Sequence, residues 1–372
     1  MKILQITTHL DYGGIPNYIV TLSRALTQKG HKVSVISGGG PMVKQLEDSG
    51  IRHLEFDLRT KSEISPKLLF FMPKLLSIIK KEKPDILHAH TRVTQVLSQI
   101  ARKKTNVKYV STCHGFFKPK GARVLFPCWG DRVIAISEAV RKHLLDDFGV
   151  DDNKVKLIYN GIDLSKFSDD SSAEEKAEFK TKIGLKDGKV VGIISRLSDV
   201  KGHEYLFEAI AMVAKKYPGI QLLVVGDGPL KEKFIKKVKA LGISDKVFFR
   251  ASTYNVAKYL SIIDIFAMPT LQEGLGLSII EAMAMGKPVI ASDVAGVRTL
   301  IKDGETGLLV LARDPNAIKN AIERLLHDKA LADRLASAGE KLVLDKFTVE
   351  SMVEKVENTY REVLNDGSNN KR

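Results

Sequence analysis

Cysteine is nearly absent from this chain of 372 residues. Cys113 and Cys128 are the only two, without metal-type spacing, which excludes a disulfide framework and a thiolate metal site. Long apolar runs are missing too. None reaches the roughly eighteen residues a membrane-spanning helix needs, and Met1-Lys2 leads straight into the strand-like Ile3-Leu4-Gln5-Ile6 with no signal-type apolar segment. A cytoplasmic chain is the expectation. The first strand is not followed by G-x-G-x-x-G, which argues against a dinucleotide-dependent dehydrogenase. Aromatics make up 7% of the chain and are not interleaved with basic residues in a stripe, so nucleic acid is not expected as a partner.

What is present describes a globular protein with room for two ordinary domains: 44% hydrophobic and 27% charged residues. The net charge of +14 is unevenly placed. Residues 1–165 hold 26 Lys/Arg against 15 Asp/Glu, an excess of +11, whereas residues 166–372 hold 32 against 29, an excess of +3. The first part is therefore expected to meet an anionic partner, a phosphorylated acceptor or a membrane surface.

Short apolar runs alternate with helix-period segments. Ile3 to Thr7, Lys32 to Ser37, Asp85 to His90, Lys108 to Cys113, Arg132 to Ile136 and Val155 to Tyr159 form one series. Lys189 to Ser195, Gln221 to Gly226, Lys246 to Arg250, Ile263 to Met268, Val289 to Ser292 and Gly307 to Leu311 form a second. This alternation predicts an α/β fold of two Rossmann-like domains, each a parallel sheet covered on both faces, with a ligand cleft between them. The break falls in the polar stretch from Ser165 to Lys182, so the domains are read as 1–165 and 166–347. A last segment of 348–372 contains a helix and a tail from Asp366 expected to be disordered.

The richest stretch is Glu273-Gly274-Leu275-Gly276-Leu277-Ser278-Ile279-Ile280-Glu281. It joins two carboxylates through a glycine-bearing loop that follows a strand and runs into a helix. The first N–H groups of a helix lack intrahelical partners and carry the positive end of the peptide dipoles, so a diphosphate is a natural ligand there. Gly274 and Gly276 let the backbone approach it. Glu281, one turn into the helix, is placed to accept from ribose hydroxyls, and Glu273, before the loop, to meet a sugar on the distal phosphate. The bland alternative is a solvated loop and an amphipathic helix.

In the other half, His114 follows a strand and precedes Gly115, which places it at a strand's C-terminal edge. Gly13-Gly14 follows the first strand and leaves room for a phosphate or an acceptor beside the backbone. His88 and His90 alternate on one strand face and suggest a metal, but no third ligand accompanies them and none is expected.

These elements fall in a specific order along the chain: Gly13-Gly14, Thr112-Cys113-His114-Gly115, Ile136-Ser137-Glu138, Asn160-Gly161-Ile162-Asp163, Ser195-Arg196-Leu197 with Lys201-Gly202, Gly226-Asp227-Gly228-Pro229, and Glu273 to Glu281. The set resembles the retaining glycosyltransferases of family 4, over nearly the whole chain. The resemblance implies a GT-B fold and transfer of a sugar from a nucleotide diphosphate with retention of configuration. It also implies an N-terminal acceptor domain, a C-terminal donor domain and a last helix that crosses back to the first domain. By the same resemblance His114, Glu273, Arg196 and Lys201 are catalytic. Gly14, Arg196, Lys201, Gly228, Glu273, Gly274, Leu275, Gly276, Leu277 and Glu281 bind the donor, and Gly13 and Gly14 line the acceptor side.

Arg196 and Lys201 would neutralise the leaving diphosphate. No Asp-x-Asp motif is present, so no metal ion or other cofactor is expected. The expected course is same-face substitution, the departing phosphate taking the acceptor proton and Glu273 orienting the sugar. Three departures from the family pattern stand out: Ser195 where Gly is usual, Arg250-Ala251-Ser252 near the base, and Ile15-Pro16-Asn17 after the glycine pair. The stretch Pro66 to Lys81, in which Pro73 interrupts the amphipathic period, and Phe116-Phe117-Lys118-Pro119-Lys120 are candidates for an anionic membrane surface. The acceptor would then be a lipid-linked or envelope glycan such as a lipopolysaccharide core. The rivals are a GT-B sugar-nucleotide epimerase and a catalytically silent sugar-nucleotide binding protein.

Overall fold

The structure, a computed structural model, describes residues 1–60, 65–119, 121–169 and 171–366. Lys120, Asp170 and the tail from 367 to 372, expected above to be disordered, lie outside the described residues. The chain divides into two compact units, Met1–Gly161 with Val349–Arg372, and Ile162–Thr348.

In the first unit the order is β1 Lys2–Ile6, α1 Gly14–Gln28, β2 Lys32–Ser37, α2 Val43–Glu47, β3 Arg52–Glu55, α3 Lys67–Glu82, β4 Ile86–Ala89, α4 Arg92–Thr105, β5 Lys108–Cys113, α5 Gly121–Leu125, β6 Arg132–Ala135, α6 Glu138–Asp146 and β7 Val155–Leu157. The seven strands form one parallel sheet in the order β3-β2-β1-β4-β5-β6-β7. Its central strands are buried on both faces and read as apolar runs, as burial under helices requires. The strand β3 departs from that rule. Its residues Arg52-His53-Leu54-Glu55 are half-exposed at the sheet edge, where charge blunts further pairing, and no apolar run announces it.

The helix α3 runs unbroken through Pro73, and the expected interruption does not occur: Leu68, Met72, Leu75 and Ile79 keep one face buried. Proline removes the hydrogen bond to Leu69, four residues back, but that turn is exposed and water can serve it.

The second unit holds α7 Ala173–Lys182, β8 Val190–Ile194, α8 His203–Lys216, β9 Gln221–Val225, α9 Lys231–Ala240, β10 Val247–Arg250, α10 Val256–Leu260, β11 Ile265–Met268, α11 Leu277–Ala284, β12 Val289–Ser292, β13 Leu308–Val310, α12 Pro315–His327 and α13 Lys329–Lys346. Its six parallel strands run β10-β9-β8-β11-β12-β13. Buried Leu206, Phe207, Ile210 and Val213 give α8 its inward stripe. Asp314 starts α12 by accepting from the N–H groups of Asn316 and Ala317, with Pro315 in the first turn.

The last helix, α14 Val349–Asn365, belongs to the first unit. It buries Met352, Val353, Val356, Tyr360 and Val363. The Tyr360 hydroxyl lies 2.6 Å from Nδ1 of His88 on β4, and Lys29 at the end of α1 pairs with Glu357 at 2.9 Å.

In each sheet the strand order reverses once, between β1 and β4 and between β8 and β11. The loops leaving neighbouring strands there diverge to opposite faces, opening a crevice at the strands' carboxyl ends.

Candidate active site

In the second unit the loops after β8 and β11 meet at this reversal. Leaving β8, the N–H of Ser195 donates to the Val225 carbonyl and that of Leu197 to the Asp227 carbonyl, both at 3.0 Å. Arg196 between them is exposed and forms no ion pair with any described residue. The Ser195 hydroxyl lies 3.2 Å from Nε2 of buried His203, whose charged form burial disfavours, holding its pKa down to about 4. Gly228 packs so closely on Leu197 that a Cβ would sit 2.3 Å from the Leu197 oxygen.

Lys201 ends a short turn, and its ammonium reaches Glu273 Oε2 at 2.6 Å across the gap between the two loops. The two backbones are tied as well: the Leu271 N–H donates to the Val200 carbonyl at 2.7 Å, and buried Thr270 donates to the same oxygen at 2.9 Å. Beyond Glu273, Gly274 and Leu275 are buried. Gly276 caps α11 with φ of +99°, a conformation that costs other residues strain, and its carbonyl takes the N–H groups of Ile279 and Ile280. Glu281 lies a turn in and is buried, which pushes its carboxyl up to about 8.

One contributor has no signal in the sequence. Gly296, beyond β12, lies under this loop, and a Cβ there would fall 2.1 Å from the Glu273 oxygen and 2.7 Å from the Gly274 oxygen. The fold thus brings together Lys201 and Glu273, sets the 274–277 backbone at a helix N-terminus, and leaves Arg196 free at the rim. Arg250, which departs from the family pattern, donates to the carbonyls of Ile183 and Phe249, while the Ser252 N–H donates to Asp227 at 2.7 Å.

In the first unit Gly13 and Gly14 start α1 directly after β1 and are exposed. His114 follows β5. The edge of the Tyr18 ring, buried on α1, packs on the His114 imidazole at 4.9 Å between centroids, so the glycine pair and the histidine share one sheet edge. The loop behind His114 is pinned where the Phe117 N–H donates to His143 Nε2 at 3.0 Å, and His143 in turn bonds Asp147 at 2.5 Å. Burial holds His114 down to about 3, and so neutral. His88 and His90 are buried in hydrogen-bonded pairs with their neighbours. Cys113 and Cys128 are free and buried, and burial pushes the Cys113 thiol up to about 12.

Two Rossmann-like units of this kind, each with a crevice at its own strand reversal, match the GT-B class, and comparison with known proteins agrees. The profile described as Glycosyltransferase Family 4 matches residues 12–166, and that described as Glycosyl transferases group 1 matches residues 175–342. An uncharacterised glycosyltransferase of Methanocaldococcus jannaschii is 25% identical over 97% of this chain and 98% of its own. The UDP-Gal:alpha-D-GlcNAc-diphosphoundecaprenol alpha-1,3-galactosyltransferase of Escherichia coli is 28% identical over 87% of this chain and 87% of its own. Among solved structures, the Anabaena HepE protein in complex with UDP and glucose superposes with a TM-score of 0.87 at 23% identity, over 97% of this chain and 100% of that one. The chain belongs to glycosyltransferase family 4 and has the GT-B fold.

Proposed function

We propose that this glycosyltransferase retains anomeric configuration and takes its sugar from a uridine diphosphate donor without a metal ion. The Lys201–Glu273 pair carries the reading: a cation and a carboxylate 2.6 Å apart beside the N-terminus of α11, one suited to phosphate and the other to sugar hydroxyls. Arg196, exposed at the rim, adds a guanidinium to the diphosphate. Gly228 and the 274–277 backbone cradle it, and Glu281 takes the ribose. As the glycosidic bond breaks, negative charge grows on the leaving phosphate, and these cations and N–H groups stabilise it. The phosphate then removes the acceptor proton on the same face of the sugar, while Glu273 and His114 hold the sugar. The UDP-galactose donor of the Escherichia coli relative and the UDP in the Anabaena complex support the uridine base.

The acceptor is a lipid-linked or envelope glycan, the kind named for the Escherichia coli relative. Exposed Leu69 and Phe70 on α3, with Lys67 and Lys74 near them, suit an anionic membrane surface where such an acceptor resides. Gly13 and Gly14 at the start of α1 belong to the acceptor side.

Proton NMR of UDP-glucose turnover in EDTA tests the reading. Retention predicts that the first-formed sugar product carries the donor's α configuration. An initial β product, or turnover that stops on chelation, contradicts it. Release of an epimerised sugar nucleotide favours the epimerase instead.

A further inference from the structure

Behind His114 the first sheet holds a chain of buried polar side chains. Oε1 of Gln5 on β1 lies 2.5 Å from Nε2 of His90, and Nδ1 of His90 lies 3.3 Å from Nε2 of His114. Tyr18 fixes both rings, with centroids 4.9 Å from His114 and 5.7 Å from His90. His88 stacks on His90 at 4.2 Å, but its own nitrogens are engaged with Tyr360 at 2.6 Å and Thr112 at 2.8 Å.

Both His90 and His114 are held neutral by burial, His90 further by its histidine neighbours. A neutral imidazole has a single N–H. The Gln5 oxygen only accepts, so the His90 proton sits on Nε2 and its Nδ1 offers a lone pair. The hydrogen that fills this bond belongs to His114 Nε2, which leaves His114 Nδ1 without a proton. The order runs from the amide: turned over, Gln5 would reverse each donor and put the His114 proton on Nδ1.

We infer that His90, oriented by Gln5, is a positioning residue that locks His114 in the Nε2-protonated tautomer, so that His114 offers Nδ1 as a hydrogen-bond acceptor. Such a nitrogen takes a hydroxyl and gives nothing to a phosphate oxygen, so His114 selects a hydroxyl of the transferred sugar. Only the identity of that ligand rests on the function proposed above; the tautomer does not.

Long-range proton–nitrogen correlation spectra of the full chain, labelled with nitrogen-15, read the tautomer directly, with His114 assigned by its loss in His114→Asn. The expected wild-type spectrum shows a protonated Nε2 and a bare Nδ1. In His90→Phe and in Gln5→Leu the His114 signals should move toward a tautomer mixture, and kcat should fall by roughly 10- to 100-fold with donor KM little changed, the scale of one lost buried hydrogen bond. A wild-type His114 protonated on Nδ1 overturns the inference, as does an unchanged His114 tautomer in both variants. If the tautomer behaves as stated but no sugar nucleotide binds, the positioning role of His90 stands and the donor reading falls.

Discussion

Lys201 and Glu273 form an ion pair 2.6 Å long whose side chains are only 22% and 15% exposed, joining the loops that leave the two strands at the second sheet's reversal. The carboxylate occupies the ammonium that a diphosphate would use, so Glu273 and the diphosphate compete for one cation. Glu273→Gln should therefore bind UDP several-fold more tightly by calorimetry, yet transfer sugar about 100-fold more slowly. Lys201→Ala should lose both, with kcat/KM down by about 10²- to 10³-fold, as when a preorganised partner of a developing anion is removed. Equal effects of the two substitutions on UDP affinity would refute the competition.

Glu281 carries a testable proton. Burial pushes its carboxyl up to about 8, so near pH 7 it is largely protonated. Two ribose hydroxyls donating to it would favour the carboxylate, and UDP binding should release a proton near pH 7. Calorimetry in buffers of different ionisation enthalpy measures this, and Glu281→Gln should abolish the release. Binding heats independent of buffer would contradict the assignment.

Acid should weaken the first unit ahead of the second. His88 and His114 ionise at about 3 in the fold against 6.5 when exposed, so between these values the unfolded chain binds more protons. Their contribution is fully present above about 6.5 and is lost as pH falls toward 3. Glu357, held down to about 2 by Arg361 and Lys29, adds a loss below 4.5. In the second unit Glu281 has the opposite sign: its raised pKa means stability falls as pH rises from 4.5 through 8, although His203 follows the other histidines. Hydrogen exchange corrected for intrinsic rates, compared at pH 7 and pH 5, should show protection lost first in residues 1–161. Uniform loss would be the contrary result.

Gly296→Ala places a methyl 2.1 Å from the Glu273 carbonyl oxygen, which only a shift of the loop relieves. Overpacking of this kind costs ~1–3 kcal/mol. The variant should melt at a lower temperature and show a donor KM raised by about tenfold or more, since the displaced loop carries Glu273. A melting point and KM equal to wild type would mean the loop is not held there.

Much of the fold was legible because strands buried on both faces are predominantly apolar: Ile86-Leu87-His88-Ala89, with one buried histidine, and Val190-Val191-Gly192-Ile193-Ile194 announce themselves. Arg52 to Glu55 does not, because an edge strand is under no such demand. The loop from Glu273 to Gly276 could be read from its glycines and carboxylates, which lie close in sequence. Gly296 could not, since its constraint comes from the distant backbone of Glu273 and Gly274, which no local pattern links to it. The link from Gln5 through His90 to His114 needs the register of β1, β4 and β5, in which Gln5 stands opposite His88 and His88 opposite Val110. No periodicity encodes that alignment of three strands.

Calorimetric titration of UDP-sugars in EDTA, into wild type and into Arg196→Ala and Lys201→Ala variants shown to melt normally, tests the donor site most directly. Binding is expected to be metal-independent and to weaken at least tenfold in each variant. Binding that disappears on chelation, or that both substitutions leave unchanged, would contradict it.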